Sequence, residues 1–430
     1  MKLLIFLTIV CVSVSNWAQE TTSKGGNPVR TVEQIVGEVI ENNPEAKFYR
    51  AEIAIAKGGR RGVGALNNPE VAVEAGSKRQ SEPGGIAGEG LAWSVSINQT
   101  FEFPGRLALR KSIANRQIEL AELGFMQFRA ALSARARELA IAVLAAQERA
   151  EAATSVAERA RTLAAVMIQR DPAGVTPLLE TRILEASAIT AMHKSGEAYK
   201  DWQAALAELN QLRGAPIEER VRILSPKFQY PPAPSLQTLL ATARTNNFDL
   251  KIRRIELEQQ GLKVDLAKNE RFPAITVEPF YSEEKALDFE RQAGIGVSLP
   301  VPIWNRNKGN IEIANARRIQ AEASLQVEER KLEREVATAL AALQTSLSQM
   351  EHWPTNALQH FKEAAEVADK NYQLGAIPVA TYVELQRQYL EAVEAIVSTQ
   401  AEADASRNRI ELLAGWIHPT EAKPEAEQGR

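Results

Sequence analysis

The sequence predicts a mainly α-helical protein with a membrane β part: long α-helical hairpins, plus four strands per chain that contribute to a trimeric β-barrel. Three observations predict it. Short landmarks recur in register across the 430 residues, two Ala-rich stretches run on far longer than a globular helix, and alternating segments precede each of them.

The recurrence comes first because it organises the rest. Asn42-Asn43-Pro44-Glu45 returns as Asn246-Asn247-Phe248-Asp249, and Pro69 before one alternating run returns as Pro273 before another. Phe103-Pro104 matches Val301-Pro302, Gly174 and Pro177 match Gly375 and Pro378, and Leu212-Arg213-Gly214 matches Leu413-Ala414-Gly415. Residues 19–229 are thus expected to form one structural repeat and 236–417 a second. The Pro-rich linker 230–235 joins them and a polar tail, 418–430, follows. Residues 1–18 read as a secretory signal, with Lys2, an apolar run from Leu3 to Val14, and Ala18 at the cleavage point. Cys11, the only cysteine, lies inside that run with Val10 before it, which argues against a lipid anchor.

Each half reads as helix, strand pair, very long helix, tight turn and long helix. Thr31 with Gln34 three residues on is a capping box that opens the first helix, and its counterpart begins near Ser235. Gly58 to Gly64 superficially resembles a phosphate loop, but neither a preceding strand nor a following Gly-Lys-Ser/Thr is present, so it reads as a helix end. Leu91 to Phe101 alternates apolar and small or polar residues over the length of a membrane strand, and Ala293 to Leu299 repeats the pattern. Val71 to Gly76 and Ile275 to Tyr281 supply their partners. From Arg106 to about Gln169 there is no proline, which makes a rod of roughly 95 Å at 1.5 Å per residue. Asn310 to about Leu374 forms a second rod, interrupted at Pro354. Gly174 and Gly375 suit the left-handed turn that ends a helix, and Pro177 and Pro378 suit the start of the next.

Four strands in lipid would leave two unpaired edges, so other copies must close the barrel. Two copies give a barrel filled by side chains, and three leave an aqueous lumen, so a homotrimer in contact with lipid is expected. The same alternation would also suit a soluble sheet, but rods of this length leave most of themselves far from any small sheet to cover.

A net charge of −3 gives no reason to expect nucleic acid, and 45% hydrophobic with 24% charged residues argues against disorder and against a polytopic helical membrane protein. His193, His352, His360 and His418 are scattered, and no cysteine pair accompanies them, so neither a metal site nor a cofactor is expected. No nucleophile and base fall together, so the chain does not read as an enzyme.

With these elements in place, the chain resembles the TolC family of outer-membrane efflux proteins over nearly its whole mature length. The resemblance rests on the duplication and on two strand-to-helix junctions, Phe103-Pro104-Gly105-Arg106 and Pro300-Val301-Pro302-Ile303-Trp304-Asn305-Arg306-Asn307-Lys308-Gly309-Asn310. The second is most similar to the heavy-metal cation branch. The resemblance implies an outer-membrane barrel continued by a periplasmic α-barrel in a Gram-negative bacterium, a periplasmic membrane-fusion adaptor, and an inner-membrane resistance-nodulation-division (RND) pump. The same channel serving drugs or organic compounds is one alternative. A periplasmic coiled-coil adaptor or structural protein is another, although an adaptor has one hairpin where this chain has two. The resemblance further implies that the hairpin tips at Gly174, Pro177, Gly375 and Pro378 dock the adaptor. It also implies that acidic residues beyond them line the aperture, at Glu180 and Glu384, with Thr381 where the family has an aspartate. Where some members have a gating arginine, this chain has Ile377-Pro378.

Overall fold

The computed structural model describes residues 29–81, 83–85, 87–170, 178–224, 234–286 and 288–416. The signal segment, most of the linker, Gly174, Pro177 and the C-terminal tail lie outside the described residues.

In chain order the elements are β1 (Val29–Arg30), α1 (Val32–Asn42), α2 (Glu45–Val63), β2 (Glu70–Ser81), β3 (Ala87–Phe101), α3 (Arg106–Arg170) and α4 (Leu178–Arg213). They continue with β4 (Arg222–Ile223), α5 (Leu236–Asn246), α6 (Phe248–Asn269), β5 (Ile275–Lys285), β6 (Phe289–Ser298), α7 (Lys308–Glu351), α8 (Ala357–Gln373) and α9 (Val379–Leu413). Three features differ from the expected order: a two-residue parallel pair, β1 with β4, adds to the four expected strands, and the helices depart in two ways. Each half opens with two helices rather than one, because Asn43 and Asn247 leave the helical region and their side chains accept from Glu45 N and Leu250 N, which starts the next helix. The Gly58–Gly64 stretch is not a terminator throughout: α2 continues through Gly58 and Gly59 and ends only at Gly64.

The capping box at Thr31 is formed in both directions, with Gln34 N donating to Thr31 Oγ1 and Thr31 N donating to Gln34 Oε1. Ser235 caps α5 in the same role. At 65 residues α3 is about 97 Å long. It packs along α4 and α9, while α7 packs on α6 and α9. Small side chains let these rods approach: Ala152, Ala157, Ala160 and Ala164 of α3 share one buried cluster with Ala188 and Ala191 of α4 and Ala365 and Ala368 of α8. The short helices close the sides. Ile35, Val36 and Val39 of α1 pack on Leu139, Ala140 and Leu209. Leu239 and Ala243 of α5 pack on Val336, Leu340 and Ile410. The second rod breaks at Pro354, between α7 and α8.

The four long strands form one antiparallel sheet in the order β2-β3-β5-β6, leaving β2 and β6 as edges. The register pairs odd with odd and even with even residues throughout: Val73 with Val95, Val95 with Tyr281, Val277 with Val297. The odd face therefore carries Val71, Val73, Leu91, Trp93, Val95, Ile97, Ile275, Val277, Tyr281, Ile295 and Val297. The even face carries Ser94, Ser96, Thr276, Ser282, Gln292 and the charged residues Glu70, Glu74, Lys78, Glu278, Glu284 and Glu290, whereas the odd face has charges only near the β-hairpin turns, at Arg79, Glu89, Glu283, Lys285 and Arg291. Of the aromatic residues, Phe280 falls on the even face, its ring over Gly294, where an added Cβ would lie 2.8 Å from it. No helix among the described residues is long and apolar enough to cross a membrane, which says nothing about this sheet.

Candidate conduit, junctions and hairpin tip

The strand-to-helix junctions are built around one segment, the end of α6 with the residues that lead into β5. Gly105 has φ +86°, a conformation that costs a Cβ-bearing residue roughly 1–2 kcal/mol, and it turns β3 into α3. The first residue of the helix, Arg106, is 8% exposed. Its Nε donates to Asn269 Oδ1 (3.2 Å) and its Nη2 to Phe272 O (2.6 Å) and Asn269 O (3.3 Å). Asn269 Nδ2 returns a bond to Pro104 O (3.0 Å), and Phe103 stacks on Phe272 with centroids 4.4 Å apart. In the second junction Asn307 holds the left-handed position, φ 60°, and its Nδ2 donates to Ala267 O (2.8 Å). Asn305 Oδ1 accepts from Asn307 N (3.0 Å), and Asn310 Nδ2 donates to Asn307 Oδ1 (2.7 Å). Gly309 lies in the first turn of α7, Arg306 is exposed, and Pro302 and Trp304 sit in the preceding loop, Trp304 being 93% exposed. The structure therefore aligns Gly105 with Asn307, four residues further on than the Pro104–Pro302 match, because the second junction holds extra residues before its turn.

At the described hairpin tip, Gly375 has φ +73° and Pro378 is the N-cap of α9. These residues, together with Glu180, Thr162, Tyr372 and Ile377, line a cleft of about 680 Å³. Glu180 raises the Tyr372 hydroxyl pKa, second to burial. Thr381 is exposed on the first turn of α9. Glu384 stands apart from the cleft: Arg387 Nη2 donates to its Oε1 (2.6 Å), Gln388 Nε2 donates to the same oxygen (2.8 Å), and Arg387 also pairs with Glu391 (2.6 Å). Those contacts, Arg387 first, hold the Glu384 carboxyl below its usual range. The structure brings Glu180 together with Gly375 and Pro378, and gives Glu384 a cationic partner that the sequence reading did not assign.

Behind the tip lies a polar cluster absent from the sequence reading. Tyr382 is 1% exposed and stacks on Tyr372 at 5.0 Å. Burial, with Asp369 second, pushes its hydroxyl far above the ordinary tyrosine range. Gln386 Nε2 donates to Ala365 O (3.0 Å), closing α8 onto α9.

A sheet with a largely apolar and a largely polar face, carried on long antiparallel helices of which α3 alone spans about 97 Å, defines a membrane duct subunit rather than a soluble binding module. The chain belongs to the outer membrane efflux protein family, whose model matches residues 35–215 and 239–416. It is thus an outer-membrane protein that extends into the periplasm, and the family consists of channels rather than enzymes. Among its relatives are the cobalt-zinc-cadmium resistance protein CzcC of Cupriavidus metallidurans, 25% identical over 344 residues and 79% of each chain, and the pyoverdine export outer membrane protein OpmQ of Pseudomonas aeruginosa, 26% identical over 329 residues, 72% of this chain and 62% of that one. The fold matches the CmeC outer membrane channel of Campylobacter jejuni with a TM-score of 0.72, at 16% identity, covering 96% of this chain and 94% of that one. It matches CusC with a TM-score of 0.71, at 15% identity, covering 92% and 95%.

Proposed function

We propose that three copies of this chain form the passive outer-membrane exit duct of a tripartite, RND-type efflux system, with heavy-metal cations as its cargo. The observation that carries this reading is the open four-stranded sheet. Its odd face exposes Val71, Val73, Ile295 and Val297 at 66–72% in a single copy, an area that only lipid can cover without blocking the rods. From Leu91 to Phe101 the strand rises ~33 Å, or ~25 Å along the membrane normal at a tilt near 40°. Edges β2 and β6 carry rows of polar groups that lipid cannot satisfy, so neighbouring copies pair them. The helices support the same closure. α6 packs between α3 and α7, whereas its counterpart α2 packs chiefly on α3. Phe48 and Ile55 of α2, and Ile313, Ile319 and Val327 of α7, remain exposed for the joint between copies.

The adaptor then meets the hairpin tips around Gly174, Pro177, Gly375 and Pro378, and the pump supplies the energy. CzcC's resistance role supports a cation cargo. OpmQ, at similar identity, supports a second reading with an organic cargo. Purification tests the duct: the protein should require detergent, behave as a trimer, and conduct in planar bilayers. A soluble monomer in detergent-free buffer would overturn it. Deletion of the gene decides the cargo: sensitivity to cobalt, zinc or cadmium supports cations, and unchanged metal tolerance with loss of organic export supports the second reading.

A further inference from the structure

Near the hairpin end of the sheet, the even face holds an ion-pair cluster that spans its full width. Lys78 of β2 lies 2.6 Å from Glu284 Oε2 on β5 and 2.9 Å from Glu290 Oε2 on β6. Glu284 and Glu290 face each other directly across the β5–β6 pair, an arrangement of like charges that destabilises a sheet unless neutralised. Lys78 reaches them because β3 presents only Gly90 and Ala92 at that level. A side chain at Gly90 is excluded in any case, since its Cβ would lie 1.6 Å from Lys285 O. Among the residues of these four strands, the even face carries Glu70, Glu74, Glu278, Glu284 and Glu290 against one cation, Lys78.

If the odd face meets lipid, the even face lines the lumen, and this inference rests on that reading. We infer that Lys78 sets the charge of the outer mouth of the duct, halving the negative charge of the Glu284–Glu290 pair so that emerging cations are released rather than retained. Without Lys78 each copy would turn two opposed carboxylates into the lumen, six in a trimer. Rings of carboxylates at a confined, low-dielectric opening concentrate counter-ions and are occluded by multivalent ones.

The experiment compares parent, Lys78→Met, Lys78→Arg and Lys78→Met/Glu284→Gln/Glu290→Gln trimers in planar bilayers. The reversal potential is read in a KCl gradient, and Cd²⁺ is added from the outer-mouth side, where the β2–β3 and β5–β6 turns lie. The expected result is that Lys78→Met becomes more cation-selective and is blocked by Cd²⁺ at about tenfold lower concentration. Lys78→Arg should behave as the parent, and the triple variant should lose the added block. A Lys78→Met trimer with the parent's reversal potential and Cd²⁺ block overturns the inference. Should Lys78→Met fail to assemble, the triple variant decides alone: lower cation selectivity than the parent supports the inference, and equal selectivity overturns it. Failure of the parent to form a conducting trimer would instead remove the duct reading, so the two failures are distinguishable.

Discussion

At the scale of single residues, the acidic side chains of the rods differ in environment, and their expected behaviour differs accordingly. Glu148 on α3 is held above the usual carboxylate range by burial, with Glu151 adding to the shift and Lys362 opposing it. A raised folded-state pKa means that the folded chain binds more protons than the unfolded one between the two pKa values. Stability from this group is therefore lost as pH rises through that window and stays lost at neutral pH. Glu148→Gln should raise the thermal midpoint at pH 7 and leave it unchanged below pH 4, where both carboxyls are protonated. An equal shift at both pH values would point to a packing effect. Glu180 and Glu384, the residues proposed for the aperture, are not equivalent. Glu384 is already neutralised by Arg387, whereas Glu180 borders the tip cleft. Glu180→Gln should thus reduce cation selectivity and block by added trivalent cations more than Glu384→Gln does, and the double variant should reduce both while still assembling. A double variant that conducts and is blocked like the parent would make both carboxylates ordinary solvated surface. The family resemblance implied these glutamates by their position after Gly174 and Gly375, but Arg387 lies on the next turn of the same face, and the helical geometry makes it a partner.

At the scale of elements, the rods and strands were readable because their signals are local. Freedom from proline over Arg106–Arg170, alternation through Leu91–Phe101, and the Thr31–Gln34 cap each declare an element from neighbouring residues alone. The helix breaks at Asn43 and Asn247 were missed because an asparagine side chain that accepts two or three residues on both ends one helix and starts another, without a glycine to announce it. Contacts such as Arg106 with Asn269 and Phe272, or Lys78 with Glu284 and Glu290, join residues of opposite halves, and no local pattern encodes them. The Arg106 junction carries its own test. Arg106→Ala strips three donor bonds from a nearly buried group and leaves the Phe272 and Asn269 carbonyls without that donor, at a cost of about 2–4 kcal/mol. Asn307→Ala forces a Cβ residue without a compensating side-chain bond into the left-handed region, at about 1–2 kcal/mol, and Asn307→Gly should recover the backbone part of that loss. Heating in detergent until the trimer dissociates would rank them, with Arg106→Ala lowest, Asn307→Ala intermediate and Asn307→Gly nearest the parent. An Arg106→Ala protein as heat-resistant as the parent would show that the helices, not this junction, hold the two halves together.

At the scale of the whole molecule, the internal correspondence of the halves yields the register with which copies should meet. Within one chain, β3 of the first half pairs with β5 of the second; at the free edges, β6 and β2 of a second copy stand in the same relation. Two anchors relate the halves: Pro69 and Pro273 precede the first strands, and Gly105 and Asn307 hold left-handed turns immediately before α3 and α7. The hairpins agree with both anchors, since Ala72 facing Ser96 in the first becomes Thr276 facing Ser298 in the second. Carried across, the pair Val95–Tyr281 places Val297 opposite Ser77 of a second copy, both on the odd face. Because the only cysteine of the chain, Cys11, lies in the expected leader, a Val297→Cys/Ser77→Cys protein offers a clean cross-linking test. Mild oxidation of detergent-extracted protein should give a covalent trimer on a non-reducing gel, with neither single variant doing so. A Val297→Cys/Val73→Cys protein, slipped by four residues, should cross-link far less, because strand neighbours that far apart along the axis stand ~13 Å from disulfide reach. Stronger cross-linking by the Val73 pair would move the register to the one implied by matching Pro104 with Pro302. Absence of covalent trimer from either pair would mean that β6 and β2 do not close the barrel, and the extra residues before Asn307 would then have to serve some purpose other than bringing β6 to its neighbour.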